Sequence, residues 1–186
     1  MICFTNGILT AIWRRAQGRK GPNLSDDALQ HSTFDGVSDY IAALDIVCSS
    51  AVRTLNIFEQ DFENIGFNSE IRYDILQRFL LSSTASRLNL LAHDPQHLIR
   101  YCPRIMNLLR QFGSNMYIYQ TPKSLLHVSE PFAVADNSHY VRRFHFDDTR
   151  GLLAKNDPEE ARRLNSHFNE MWTSSHPCTS ATTLGL

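Results

Sequence analysis

From Phe34 onward, apolar positions recur at helical spacing. Val37, Ile41, Leu44 and Cys48 share one stripe and predict a first helix over residues 35–50. Residues 53–58 alternate and are rich in strand formers, which predicts a strand. After a loop at 64–68, Ile71, Ile75, Phe79 and Leu80 mark a second helix, and residues 87–92 read as the next strand. Asp94 and Pro95 then supply a capping carboxylate and a first-turn proline. The helix they open has Leu98, Ile99, Cys102, Ile105, Met106 and Leu109 on its buried stripe. Pro103 lacks an N–H and clashes with the preceding turn, so it predicts a split into a short and a longer piece. Gly113 closes that helix, and residues 116–119 form a third strand.

A β-α-β-α-β run over about 53–120 implies parallel strands joined by right-handed crossovers. Beyond it the pattern changes. The stretches 130–136 and 139–143 are joined by the tight Asn137–Ser138 turn, so they pair antiparallel and the sheet is mixed. The last helix has the clearest local signature: Asp157 as cap, Pro158 in the first turn and Glu160 three residues after the cap. Ala161, Leu164, Phe168, Met171 and Trp172 give it one apolar face.

The bulk numbers narrow the class. A chain of 186 residues suits one domain, expected over 34–175, with an N-terminal extension at 1–33 expected to be poorly ordered and a tail at 176–186. A net charge of −1 and a pI near 6.7 give no global field for nucleic acid or an anionic membrane. Basic residues cluster only locally, at Arg14, Arg15, Arg19 and Lys20 and at Arg142 and Arg143. The four cysteines, Cys3, Cys48, Cys102 and Cys178, form no C-x-x-C pair. Reduced thiols in a cytoplasmic protein follow, with Cys48 and Cys102 in the core and no zinc or other cofactor expected. The apolar stretch from Met1 to Trp13 is cut by Arg14 and Arg15, so no membrane span is expected.

Parallel strands, a tight antiparallel pair carrying Asp136 and a terminal helix together resemble a phospholipase-D-like domain. The stretch 156–161, Phe168 and Trp172 at helical spacing, and the apolar end Leu184–Leu186 resemble a bacterial family with a degenerate, single-domain version of that fold. The resemblance spans about 35–186. It implies an α-β-α sandwich with a mixed, mainly parallel sheet. Active members carry His-x-Lys-x-x-x-x-Asp, in which the His attacks phosphorus and the Lys holds a phosphate oxygen. With Asp136 taken as that Asp, Ser129 stands at the His position and Pro131 at the Lys position. The family's downstream Gly-Ser-x-Asn cluster is replaced by residues 143–146, Arg-Phe-His-Phe.

The resemblance therefore implies a non-catalytic domain acting as a binding or dimerisation module, with a homodimer or a protein as partner. The alternatives are a divergent phosphodiesterase or nuclease and a nucleic-acid-binding accessory domain, nucleic acid being the less favoured partner. Candidates for residual catalysis are His127, Asp136 and His145. Any ligand pocket is expected to gather Asp61, His93, His127, Asp136 and His145 at one end of the sheet, where open α/β sheets place ligands. His139, His145, Asp147 and Asp148 match no metal-site spacing, and Tyr117, Tyr119, Phe132, Phe168 and Trp172 are expected in the core or an interface.

Overall fold

The three strands of the expected β-α-β-α-β run lie side by side in the computed structural model, which describes residues 28–179. In chain order the strands are β1 (Gln30–Asp35), β2 (Thr54–Glu59), β3 (Arg87–Ala92), β4 (Met116–Gln120), β5 (Phe132–Ala135), β6 (His139–Arg143), β7 (Arg150–Lys155) and β8 (His176–Thr179). The helices are α1 (Val37–Ser50), α2 (Glu70–Ser82), α3 (Gln96–Tyr101), α4 (Pro103–Gln111) and α5 (Pro158–Ser174). Pro103 separates α3 from α4 as its missing N–H requires, and Asp157 accepts the Glu160 N–H at the head of α5.

All eight strands join one sheet in the order β1-β7-β6-β5-β2-β3-β4-β8. The β2–β3 and β3–β4 pairings are parallel, and the other five are antiparallel. The mixed sheet was expected, but its parallel part is confined to the centre rather than dominant. The difference comes from β1, β7 and β8, which are mixed in polarity and give no continuous apolar run. Residues 30–33, expected in an extension, form most of β1. Residues 176–179, expected in a tail, form β8. The remainder of those two expected segments, 1–27 and 180–186, lies outside the described residues.

Alternation along the strands divides the interior into two layers. Leu55, Ile57, Leu88, Leu90, Ile118 and Ala133 face α1, α2 and α4. Phe58, Leu91, Phe132, Val134 and Tyr140 face α5, which buries Ala161, Leu164, Phe168 and Met171 against them. Each such buried side chain contributes roughly 1.5–3 kcal/mol of transfer free energy. Helix α5 crosses its face from β6, where the Tyr140 hydroxyl donates to Asp157 (3.1 Å), to β4, where Trp172 stacks on Tyr119 (3.9 Å). Its two flanks overlook different grooves.

Two stripes sit differently from their sequence pattern. On α2 the buried set is Arg72, Ile75, Leu76, Phe79 and Leu80, while Ile71 is 65% exposed. Arg72 is held inside by Asp45 of α1, by the Ile41 carbonyl and by the Phe67 ring 5.0 Å beneath its guanidinium. A charge with such partners can displace an isoleucine from the interior. On α1, Tyr40, Ala43 and Val47 join Leu44 and Cys48 in the core.

Candidate functional site: the C-terminal rim of the parallel strands

Four of the five expected pocket residues gather at the rim where β2, β3 and β4 end. Asp61 follows β2, His93 follows β3, His127 lies in the segment leading into β5, and His145 lies between β6 and β7. Asp136 does not join them. Strand β5 runs antiparallel to β2, with Leu55 opposite Ala135, so Asp136 lies beside the beginning of β2. The rise from Thr54 to Glu59 puts the two ends of β2 about 16 Å apart. There the Asp136 carboxylate accepts the N–H groups of Arg53 and Thr54, both at 2.8 Å, and that of Val52. Asp136 has φ +52°, a left-handed conformation that Asp tolerates better than most residues. It is a clamp on backbone rather than a member of the rim.

At the rim, each candidate has a local partner. His93 is nearly buried, with Nε2 donating to the Val128 carbonyl (2.8 Å). A carbonyl can only accept, so Nε2 carries a proton, and Nδ1 shares a hydrogen bond with the Thr121 hydroxyl at 2.6 Å. Phe58 and Phe146 close on that ring edge-on at 5.1 and 5.5 Å. His127 is exposed and donates from Nδ1 to the Ser124 carbonyl. His145 accepts the Asp147 N–H, Arg150 holds the Asp148 carboxyl down at about 2, and Asp61 accepts the Glu63 N–H. Among the described residues no three His, Cys, Asp or Glu side chains are placed to hold a metal ion.

The two motif positions lie on the approach to β5. The Ser129 carbonyl accepts the Phe146 N–H (2.9 Å) and the Pro131 carbonyl accepts the Arg143 N–H (3.0 Å), which extends the β5–β6 hairpin to the rim. Beside them a groove of about 470 Å³ runs along one flank of α5, lined by His127, Ser129, Glu130, Arg163, His167 and Glu170. Its arginine is already paired. Arg163 forks onto Glu160 at 2.6 and 2.7 Å, and Arg142 lies 3.5 Å from Glu160 and 4.0 Å from Glu130. Arg163 accordingly holds the Glu160 carboxyl below its ordinary range. The basic patch expected at Arg142 and Arg143 is therefore not a surface patch.

Arg143 instead points into the α1 side of the sheet, where the sequence pattern had a signal that went unread. Glu59 keeps the parity of Leu55 and Ile57, so it must face inward, and it is 2% exposed. Burial pushes its carboxyl up to about 7, opposed by Arg143 and by the Tyr40 hydroxyl that donates to it. Arg143 reaches Glu59 at 3.3 Å, donates to the Phe146 carbonyl at 2.9 Å and lies 4.6 Å over the Tyr40 ring. This buried triad ties α1, β2, β6 and the Phe146 loop together.

A mixed sheet with three parallel central strands, helices on both faces and an antiparallel hairpin approaching the rim defines a phospholipase-D-like fold. Solved structures that match it include Nuc of Salmonella typhimurium, a phospholipase D family member. The match has a TM-score of 0.57 and 14% identity, over 82% of this chain and 99% of that one. NucT of Helicobacter pylori matches with a TM-score of 0.54 and 14% identity, over 81% of this chain and 99% of that one. TrmBL2, an archaeal chromatin protein whose structure shows a novel mode of DNA binding, matches with a TM-score of 0.60 and 12% identity. That match covers 79% of this chain and 54% of TrmBL2, so the chain spans about half the length of that protein. At these identities the likeness is one of fold. The profile of the family DUF7931, a domain of unknown function, matches residues 37–184, and the chain belongs to that family. No curated protein matches the sequence.

Proposed function

We propose that this chain is a phospholipase-D-like domain that acts by binding and does not cleave phosphodiesters, with a second copy of itself or another protein as partner. The observation that carries the reading is the state of charge around the motif position. In-line displacement at phosphorus needs an imidazole nucleophile and a cation free to take the equatorial oxygens. Ser129 and Pro131 supply neither, and Arg163 of the adjoining groove and Arg142 beside it both pair with Glu160. The rim histidine best positioned by the fold, His93, has both nitrogens engaged. Phospholipase-D-like enzymes pair two domains across a shared surface, which supports self-association of a domain with this fold.

Two measurements test it. Light scattering behind size exclusion should give a mass of twice 21.3 kDa. A panel of phosphodiesters, with and without divalent metal, should show no turnover. A monomer that recovers no protein in a pull-down would defeat the binding reading. Hydrolysis abolished by His127→Ala or His167→Ala would replace it with a divergent phosphodiesterase. The likeness to TrmBL2 favours nucleic acid as a second reading, tested by DNA binding that weakens steeply with salt.

A further inference from the structure

On the opposite flank of α5, away from the motif, lies a second groove of about 620 Å³. Side-chain amides dominate it. Asn89 of β3 donates to Asn56 of β2 (2.8 Å), Asn56 donates to Asn165 of α5 (2.8 Å), and Asn165 donates to Asn137 in the β5–β6 turn (2.5 Å). Asn169 follows one turn along α5 and is exposed. A primary amide has two N–H groups, and this chain uses one from each donor. Asn56, Asn89 and Asn165 each keep an N–H, and Asn137 and Asn169 keep two. Among the described residues no other partner takes them.

The remaining lining adds one arginine. The Arg53 guanidinium is exposed and has no carboxylate partner among the described residues. His139 accepts the Asn156 N–H at Nδ1, so its proton resides on Nε2. Asp136, the one carboxylate in the lining, has its oxygens turned to three backbone N–H groups. The amide oxygens keep lone pairs of their own, so the amides alone favour neither sign, and the preference for a ligand with acceptor lone pairs and negative charge comes from the Arg53 guanidinium. Donors reach the groove from the β2–β3 floor, the α5 wall, the Asn137 turn and Arg53. Such converging directions suit a tetrahedral oxyanion better than a planar carboxylate.

We propose that this amide-lined groove is a binding site for a phosphoryl group, held by the spare N–H groups of Asn56, Asn137, Asn165 and Asn169 and by the guanidinium of Arg53. It lies about 16 Å along the strands from the motif rim. It does not depend on whether the rim is catalytic, because no residue is shared between the two grooves. The contrast between them is the point: cations are spent on carboxylates at the rim, and Arg53 is unspent here.

The test is a titration of the ¹⁵N-labelled chain with inorganic phosphate, glycerol 3-phosphate and acetate, followed through the side-chain amide resonances. Phosphate and the phosphate ester should shift the Asn137, Asn165 and Asn169 NH₂ pairs with one common Kd, and acetate should bind more weakly. Arg53→Ala should weaken phosphate about tenfold. The Arg53 side chain has no hydrogen bond within the described fold, so this variant should remain folded. Asn169→Ala, also exposed, should weaken it severalfold. Asn165→Leu should abolish binding, with its folding checked by the dispersion of the spectrum. Shifts confined to the His127–His167 groove, equal affinity for acetate, or no effect of Arg53→Ala and Asn169→Ala would overturn the assignment.

Discussion

Asp136→Ala tests whether the carboxylate that the sequence suggested as a phosphodiesterase-motif Asp serves the backbone instead. The carboxylate serves three N–H groups at the entry to β2. The Thr54 N–H is partly buried, and leaving it without a partner costs roughly 1–3 kcal/mol. The Val52 and Arg53 groups are exposed and can turn to water, so each loses only about 0.5–1 kcal/mol. Position 136 sits at φ +52°, where Ala costs roughly 1 kcal/mol more than Asp. The total is about 3–6 kcal/mol. With a urea m-value near 2 kcal/mol per molar for a domain of this size, the unfolding midpoint should fall by about 1.5–3 M. Asp136→Asn keeps an acceptor and tolerates the left-handed backbone, so it should lose roughly 1 kcal/mol. Equal losses for the two variants, or a loss below about 1 kcal/mol for Asp136→Ala, would refute the clamp.

Other expectations follow from the buried and crowded positions. Glu59 has its folded pKa raised to about 7 from 4.5, so the folded state holds the proton more tightly than the unfolded one. Stability should therefore fall as pH rises from about 4.5 through 7, by on the order of 1–3 kcal/mol, and Glu59→Gln should flatten that part of the urea-midpoint profile. A Cβ at Gly151 would lie 2.3 Å from both the Arg142 carbonyl oxygen and the Phe34 ring. Gly151→Ala should cost at least about 2–3 kcal/mol of unfolding free energy, with Phe34→Leu in the same chain recovering part of it.

Local chemistry with a strong physical cause was readable in the sequence. The Asp157 cap, the break at Pro103, the parallel centre and the β5–β6 hairpin follow from capping, a missing N–H and periodicity, and each is where it was expected. Strands β1, β7 and β8 were not readable, since each carries charged, histidine or small residues among few apolar ones and draws its stability from a partner distant in sequence. Long-range pairing also decided Arg72 over Ile71, because the interior site is defined by Asp45 and Phe67 rather than by a stripe. For the site, that Ser129 and Pro131 offer neither imidazole nor ammonium was legible residue by residue. The position of Asp136 was not, because it depends on β5 running against β2. The amide groove was invisible for the same reason: Asn56, Asn89, Asn137 and Asn165 meet only once β2, β3, the turn and α5 are assembled.

The pairing of β1 with β7 has a practical corollary. The family profile begins at residue 37, whereas β1 occupies Gln30–Asp35 and satisfies the outward hydrogen-bonding groups of β7. A chain trimmed to the family boundary would lose that guard strand and present Arg150–Lys155 as a bare ladder, the kind of surface on which copies stack and precipitate. Self-association measured on such a fragment would report the missing strand, not the native partner, so the oligomeric state has to be read on a chain that keeps residues 30–36.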